Sequence, residues 1–300
     1  MPRNAPGRLH GILIIDKPAG WTSHDVVGWV RRWASERKVG HGGTLDPAAT
    51  GVLPVALNDG TRILEFLADA SKSYLADITF GVGTDSADID GQVTASSRER
   101  PTRDQLETEL LRFIGEIEQV PPGHSAIRIG GKRAYEYARA GDKIEIPGRT
   151  VTIHQIDLCA WDGDTAQVYI ACSKGTYIRS IARDLGDRLG IPAYLSNLVR
   201  TQSGPFGLED AWTVAELEGL DAAAVWESIA LHPDAAVPDW PAVVIGGDEE
   251  QGWRHGQSLK ADAATDRTRI RVYDSAGHWR GLGELTAGAL WKPIRVIAPP

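Results

Sequence analysis

Residues 40–54 hold four glycines, and this stretch constrains the fold more than any other part of the chain. Gly40, Gly42 and Gly43 permit backbone conformations that other residues avoid, and they let another molecule approach the main chain closely. Asp46 is the only acid in the stretch. The sequence therefore predicts a loop whose flexible backbone presents one carboxylate, which is a plausible active site.

The same residues permit a structural alternative. Asp46 and Pro47 are a common helix start, with Asp as the N-cap and Pro in the first helical position. Gly51 would then end a single short turn. Spacing alone favours this structural role, so both interpretations stay open at this point.

The length and composition indicate a globular protein. A chain of 300 residues is expected to form one large domain with a smaller one, or two domains. No apolar run reaches membrane-spanning length and the N-terminus has no signal-peptide core, so we expect a cytoplasmic protein. Cys159 and Cys172 lie in no metal-binding spacing, and we expect both to be buried free thiols.

The net charge of −8 argues weakly against a nucleic-acid partner, because phosphate binding needs a positive surface. Most of the excess acid lies in residues 201–300, however, so basic clusters survive in the first two thirds. Residues 121–141 mix cations, including Lys132 and Arg133, with tyrosines, as RNA-contacting surfaces do. RNA binding therefore stays open.

Local signals predict two further features. Residues 177–189 form a predicted helix that follows a strand, and Arg179 in its first turn is well placed to reach a carboxylate bidentately. Residues 81–86 begin like a dinucleotide fingerprint, but Asp85, Asp88 and Asp90 would repel a pyrophosphate. We expect an acidic surface turn there.

Several stretches resemble, in order, the motifs of the TruB family of tRNA pseudouridine synthases. They are residues 16–20 (Asp-Lys-Pro-Ala-Gly), 40–54, 72–74 with 83–85, 125–139, 174–180 (Lys-Gly-Thr-Tyr-Ile-Arg-Ser) and 198–200 (Leu-Val-Arg). The matches cover residues 9–205, and the catalytic motif is far longer than a four-letter pattern.

The resemblance implies an α+β fold. Its expected core is a mixed, largely antiparallel central sheet flanked by helices, the pseudouridine synthase fold, with a small C-terminal β domain of the PUA type. Residues 1–235 would form the catalytic domain, with a family-specific insertion at about 121–150. Residues 236–300 would form the PUA-like RNA-binding domain.

The resemblance also implies the chemistry. Such enzymes isomerise uridine-55 in the TΨC loop of tRNA by base flipping, without cofactor, metal or guide RNA. Asp46 would be the catalytic carboxylate, Arg179 would pair with it, and Tyr74 would stack on the flipped base. The expected partner is the T-arm stem-loop of tRNA, bound by a monomer.

RNA binding is expected at six further positions on the same ground: His41, Lys17, Leu198, Tyr177, Lys132 and Arg133. His41 would fill the space that the extruded bases leave, while Lys17 and Leu198 would shape the pocket. One alternative function remains, a tRNA-binding folding chaperone whose modification activity is secondary.

Overall fold

The computed structural model describes residues 8–123, 128–129, 132–133, 137, 146–261 and 268–297. Within these residues the strands are β1 (Gly11–Lys17), β2 (Val39–His41), β3 (Thr50–Leu57), β4 (Lys72–Phe80), β5 (Val82–Thr84), β6 (Val93–Ser96), β7 (Gly115–Gln119), β8 (Arg128–Ile129), β9 (Lys132–Arg133), β10 (Arg149–Trp161), β11 (Thr165–Cys172), β12 (Ala193–Ser203), β13 (Phe206–Gly207), β14 (Trp212–Thr213), β15 (Ala242–Ile245), β16 (Leu259–Lys260), β17 (Arg269–Asp274), β18 (Trp279–Thr286) and β19 (Leu290–Val296).

The α-helices of the same residues are α1 (Ser23–Trp33), α2 (Leu64–Asp69), α3 (Arg103–Leu111), α4 (Ile178–Leu189), α5 (Val214–Leu217), α6 (Ala222–Ile229) and α7 (Gly247–Arg254). Short 3-10 helices cover Asn58–Ile63, Leu208–Asp210 and Pro233–Ala236. No helix within the described ranges is long and apolar enough to cross a membrane.

A large mixed sheet forms the centre of the molecule. Its strand order is β14-β1-β3-β12-β4-β11-β10-β7, with β2 paired to β3 and β13 paired to β12. The pairs β1–β14 and β3–β12 are parallel, and the remaining pairs are antiparallel. Because β12 joins β3 to β4, it brings together two halves of the sheet that are built from distant parts of the chain.

Helices cover this sheet in two groups. Helix α4 packs Ile181 and Leu185 against the strands β4, β11 and β12, and α3 packs beside it. Helix α1 packs Val26 and Val30 against β1 and β3. Each fully buried aliphatic side chain of this kind stabilises the fold by about 1.5–3 kcal/mol relative to an exposed one.

The close packing of β3 and β12 requires a glycine. Gly51 has a φ of 100°, and a Cβ built on it would lie 2.2 Å from the carbonyl oxygen of Arg200 on the neighbouring strand. Only a residue without a side chain fits this position. The strand that follows the glycine-rich loop is thereby held directly against the strand that carries Arg200.

The C-terminal part of the chain forms a second sheet. Its order is β15-β17-β18-β19-β16, and only β15–β17 is parallel within it. Trp279 and Leu282 of this sheet belong to the same apolar cluster as Ile12 and Ile14 of β1. The two sheets therefore share part of their core.

Most sequence-based expectations for the elements are confirmed. The mixed α+β architecture and the C-terminal β domain are present. Cys172 is buried as expected, whereas the prediction of a buried thiol is wrong for Cys159, which is exposed. It lies near the C-terminal end of β10, where its side chain faces solvent while Leu158 and Trp161 pack against the core.

Candidate active site

The glycine-rich stretch forms an irregular loop between β2 and β3, and Asp46 lies at its turn. The Ala49 N–H donates to the Asp46 carbonyl oxygen at 3.1 Å, which closes one turn without starting a helix. The Gly20 N–H and the Lys17 Nζ both donate to the Pro47 carbonyl oxygen, at 2.9 and 3.0 Å. The single turn of the structural alternative is therefore present, but no helix follows it, because Thr50 already begins β3.

Arg179 is the ionic partner of Asp46. It lies in the first turn of α4, with only 6% of its side chain exposed. Its Nε lies 3.0 Å from one carboxylate oxygen of Asp46, and its Nη2 donates to the other at 3.4 Å. The planar guanidinium thus meets both oxygens and fixes the direction of the carboxylate. The Asp46 side chain stays 43% exposed, so a substrate can still reach it.

A second carboxylate shares Arg179. The Nη1 atom of Arg179 lies 3.1 Å from Asp88 Oδ2 and donates to the Ser86 carbonyl oxygen at 3.4 Å. Asp88 is only 15% exposed. The prediction of an acidic surface turn is therefore wrong for Asp88, because the turn folds back onto a helix 93 residues further along the chain from Ser86. Sequence patterning showed no sign of this contact.

The surroundings of Asp46 act in opposite directions on its ionisation. Partial burial raises the pKa of the Asp46 carboxyl above its usual value, the Arg179 guanidinium lowers it, and the neighbouring Asp88 raises it further. The net effect is a raised pKa. Such a carboxylate is more basic than an exposed aspartate and is a better proton acceptor or nucleophile once ionised.

The side chains of Asp46 and Arg179 line a cavity of about 320 Å³. This volume lies in the range of about 300–1,000 Å³ that is typical of small-ligand sites. The walls bring together five of the residues predicted from the sequence: Asp46, Tyr74, Tyr177, Arg179 and Leu198. The other lining residues are Gly43, Thr44, Leu45, Ala68, Lys72, Arg149, Ser173, Gly175, Thr176, Ile178 and Arg200.

Arg200 holds the floor of this cavity. It is 1% exposed, and its guanidinium donates to the carbonyl oxygens of Val52, Gly43 and Thr44 at 2.7, 3.2 and 3.3 Å. Tyr74 is buried in the same cavity, and burial raises the pKa of its hydroxyl. Arg200 had been assigned no role from the sequence. One signal could have identified it: the two-residue period of a strand places Arg200 on the same face as Leu198.

Lys17 stabilises the loop that carries Asp46 by a hydrogen bond to its backbone. It is fully buried, and its Nζ donates to the carbonyl oxygens of Pro18, Trp21 and Pro47 at 2.9, 2.6 and 3.0 Å. Burial lowers the pKa of Lys17 to about 8. Lys17 thus acts on the site by fixing the residue after Asp46, and it does not line the cavity wall.

His41 ends β2 directly before the loop and is partly buried. Burial lowers its pKa, with His24 and Arg200 adding to the effect. The Gly43 N–H donates to His41 Nδ1 at 3.3 Å, which places the ring proton on Nε2. The His24 ring meets it edge-on with 5.5 Å between centroids. The ring orientation is therefore set from two sides.

Comparisons with known proteins decide the family. The N-terminal domain model of the TruB family pseudouridylate synthases matches residues 31–178. The C-terminal domain model of tRNA pseudouridylate synthase B matches residues 179–232, and the model of the pseudouridine synthase II TruB C-terminus matches residues 241–297. A tRNA pseudouridine synthase B of Trichormus variabilis is 42% identical, covering 97% of this chain and 99% of that protein. The chain belongs to the TruB family.

Other relatives agree with this assignment. The tRNA pseudouridine synthase B of Chromobacterium violaceum is 40% identical, over 99% of this chain and 97% of its own length. Among solved structures, a Cbf5-Nop10-Gar1 complex matches with a TM-score of 0.73 and 26% identity, covering 96% of this chain and 85% of that one. An H/ACA RNP bound to a substrate RNA containing 2'-deoxyuridine gives a TM-score of 0.72 at 25% identity, with the same coverage. This TruB protein therefore has the pseudouridine synthase fold and is an enzyme of that class.

Two predicted residues of the TruB insertion fall partly outside the described residues. Lys132 and Arg133 form strand β9, which pairs with β8 in a two-stranded hairpin. Their side chains lie outside the described part of the structure, so their contact with RNA stays a prediction. Among the residues that are described, no three His, Cys, Asp or Glu side chains come together as a metal site.

Proposed function

We propose that this TruB protein isomerises uridine-55 in the TΨC loop of tRNA to pseudouridine, without guide RNA, cofactor or metal. The observation that carries the proposal is the Asp46–Arg179 pair, which faces a cavity of about 320 Å³ in a chain of this family. The names of the similar proteins supply the substrate class, tRNA.

The cavity suits a nucleotide that has left its stack. Tyr74 and Leu198 give it apolar walls, and Asp46 reaches it from the loop. A base inside a helix cannot contact a carboxylate in such a pocket, so the target nucleotide has to be extruded first. His41 lies at the loop entrance, where it would take up the space that the extruded bases leave.

The reaction needs one carboxylate that contacts the nucleotide. The N1–C1′ glycosidic bond breaks, the uracil rotates, and C5 bonds to C1′. C5 then loses its proton and N1 gains one, so no water or redox partner is consumed. Glycoside hydrolysis, by contrast, normally needs two carboxylates at a defined separation to activate water. In this site Asp46 faces the cavity, whereas Asp88 is held on Arg179. Asp46 would attack the sugar or the base, or remove a sugar proton.

The first test uses the pure protein and an unmodified tRNA transcript. We expect pseudouridine at position 55 from the wild-type protein, and none from Asp46→Asn, because the amide cannot replace the charged oxygen. Binding of the transcript should persist in Asp46→Asn. Product is mapped by chemical labelling of pseudouridine, and binding by filter retention.

A matched control tests whether the loss of activity is specific to the Asp46 carboxylate. Asp59→Asn removes a partly exposed carboxylate that pairs with His10 and Arg62, and it should keep full activity. Full product from Asp46→Asn would contradict the catalytic assignment. Tight binding by the wild-type protein without any product would select the folding chaperone instead.

A further inference from the structure

Four cationic side chains line the cavity: Lys72, Arg149, Arg179 and Arg200. Three of them are already engaged and nearly inaccessible. Arg179 is held by Asp46 and Asp88, and it is 5% exposed. The ammonium of Lys72, 7% exposed, donates to three carbonyl oxygens, and Arg200 donates to three others.

Arg149 differs from the other three. It begins β10 at the rim of the cavity and is only partly buried. Its Nη2 donates to the Gly175 carbonyl oxygen and its Nε is buried, while its Nη1 forms no hydrogen bond among the described residues. No carboxylate of those residues forms an ion pair with it. Arg149 is thus the cation of the cavity whose terminal Nη1 remains available to a ligand.

The guanidinium of Arg149 is also held in place. It stacks over the Tyr177 ring, with its Cζ 4.5 Å from the ring centroid. The backbone of Tyr177 is fixed in turn by the buried Gln119, which accepts from its N–H at 2.8 Å and donates to its carbonyl oxygen at 3.1 Å. A stacked, pre-oriented guanidinium loses little freedom when it binds an oxyanion.

The ligand that fits is an RNA phosphate. A nucleotide that enters this cavity brings its two flanking phosphodiesters to the rim, against a protein with a net charge of −8 and close to the Asp46 carboxylate. Guanidinium groups bind phosphate oxygens through a planar fork of donors. We propose that Arg149 binds a phosphodiester directly next to the isomerised nucleotide. This inference rests on the proposed function only for the identity of the RNA.

The test combines a protein change with a matched change in the RNA. T-arm stem-loops are made with a single uncharged methylphosphonate at each phosphate around the target uridine. In the wild-type protein, one flanking substitution should weaken binding about tenfold, the size expected for a charged hydrogen bond. In Arg149→Gln, the unmodified RNA should bind about tenfold more weakly, and the same methylphosphonate should cause no further loss.

A second measurement uses salt. Loss of one phosphate contact should lower the slope of log Kd against log salt by about 0.7 for single-stranded RNA. Arg103→Gln is the control, because Arg103 is an exposed arginine of α3 that pairs with Glu107. It should leave both the affinity and the methylphosphonate pattern unchanged. If Arg149→Gln is poorly folded, Arg149→Lys takes its place in the test. This variant keeps a point charge and should retain part of the response to the methylphosphonate.

Two outcomes would overturn the inference. One is an Arg149→Gln protein that responds to each methylphosphonate as the wild type does. The other is an equal loss of affinity in Arg103→Gln, which would indicate a general effect of surface charge. Because the readout is binding, it is separate from product formation: wild-type protein that binds the stem-loop without making pseudouridine contradicts the proposed function and leaves this test intact.

Discussion

At the scale of single residues, the site depends on how one guanidinium is shared. Arg179 contacts Asp46 with Nε and Nη2, and Asp88 with Nη1. Asp88 therefore holds the guanidinium in the orientation that Asp46 needs. It also adds negative charge that raises the pKa of Asp46. In the proposed reaction Asp88 would thus act through Arg179 and Asp46, as a positioning residue.

Removal of this charge should change the pH dependence of the enzyme. In the proposed reaction Asp46 acts in its ionised form, so activity should fall as the pH drops through its raised pKa. In Asp88→Asn the negative charge is gone, the pKa of Asp46 falls, and the acid limb of the pH–rate profile should move to lower pH. We also expect kcat to fall by roughly 10- to 100-fold, because Arg179 is held less firmly, as for misplaced catalytic groups in general.

The measurement is single-turnover pseudouridine formation between pH 4.5 and 8. Arg183→Gln serves as the control, since Arg183 lies one turn further along α4 and pairs with Asp184. It should keep the wild-type profile. An acid limb that stays in place in Asp88→Asn, or moves to higher pH, would contradict the role given to Asp88.

At the scale of elements, local signals in the sequence predict α1 and α4, because each of these helices carries a cap of its own. Thr22 caps α1, with the Asp25 N–H donating to its hydroxyl at 3.1 Å, and Gly190 ends α4 in the left-handed conformation. The apolar spacing of Ile63, Leu64 and Leu67 predicts a single helix over residues 61–70. This segment has no side-chain cap, and it divides into a 3-10 turn and the short α2. Uncapped ends depend on packing, which a sequence does not display.

For the site as well, the sequence predicts what local motifs determine and not what contacts between distant elements determine. Asp46 and Arg179 were found because each lies in a long family motif, and Leu198 and Tyr74 because they share such motifs. Asp88 and Arg149 were missed, since their roles come from contacts between elements far apart in the chain: Asp88 with α4, and Arg149 with the ring of Tyr177. Local patterns give no information on such pairs.

Strand β3 offers a test of how tightly the elements fit. In Gly51→Ala the new methyl group would lie 2.2 Å from the Arg200 carbonyl oxygen, and the φ of 100° disfavours a side chain. We expect the free energy of unfolding to fall by about 3 kcal/mol or more, since backbone strain and overpacking add. Urea denaturation measures the change as a lower midpoint at constant slope.

Gly28→Ala is the matched control for this substitution. Gly28 lies inside α1, and a Cβ there would meet only the end of the Arg32 side chain, at 3.6 Å. Alanine favours a helix over glycine, so this variant should gain about 0.4–1 kcal/mol. A Gly51→Ala protein as stable as Gly28→Ala would show that β3 and β12 can separate at little cost.

At the scale of the whole molecule, the two sheets are joined by an apolar cluster and by polar contacts. Trp279 and Leu282 pack with Ile12 and Ile14 across the boundary. Arg62 of the catalytic part donates to the Val296 carbonyl oxygen at 2.7 Å. The division into a catalytic domain of residues 1–235 and a PUA-like domain of residues 236–300 stays a prediction. A shared core implies that the two parts do not unfold independently.

This coupling can be measured through Cys172, which lies in β11 of the main sheet and is 1% exposed. In a Cys159→Ser background it is the remaining thiol, and its rate of alkylation under native conditions reports opening of the catalytic part. Trp279→Ala should lower the free energy of unfolding by about 3–5 kcal/mol and speed the labelling of Cys172 accordingly.

Val244→Ala is the control, at a position 66% exposed on β15. It should change the free energy of unfolding by no more than about 0.5 kcal/mol and leave the labelling rate of Cys172 correspondingly unchanged. If Trp279→Ala melts only the C-terminal sheet while Cys172 keeps its wild-type labelling rate, the two sheets are energetically separate, and the shared cluster contributes nothing to the stability of the active site.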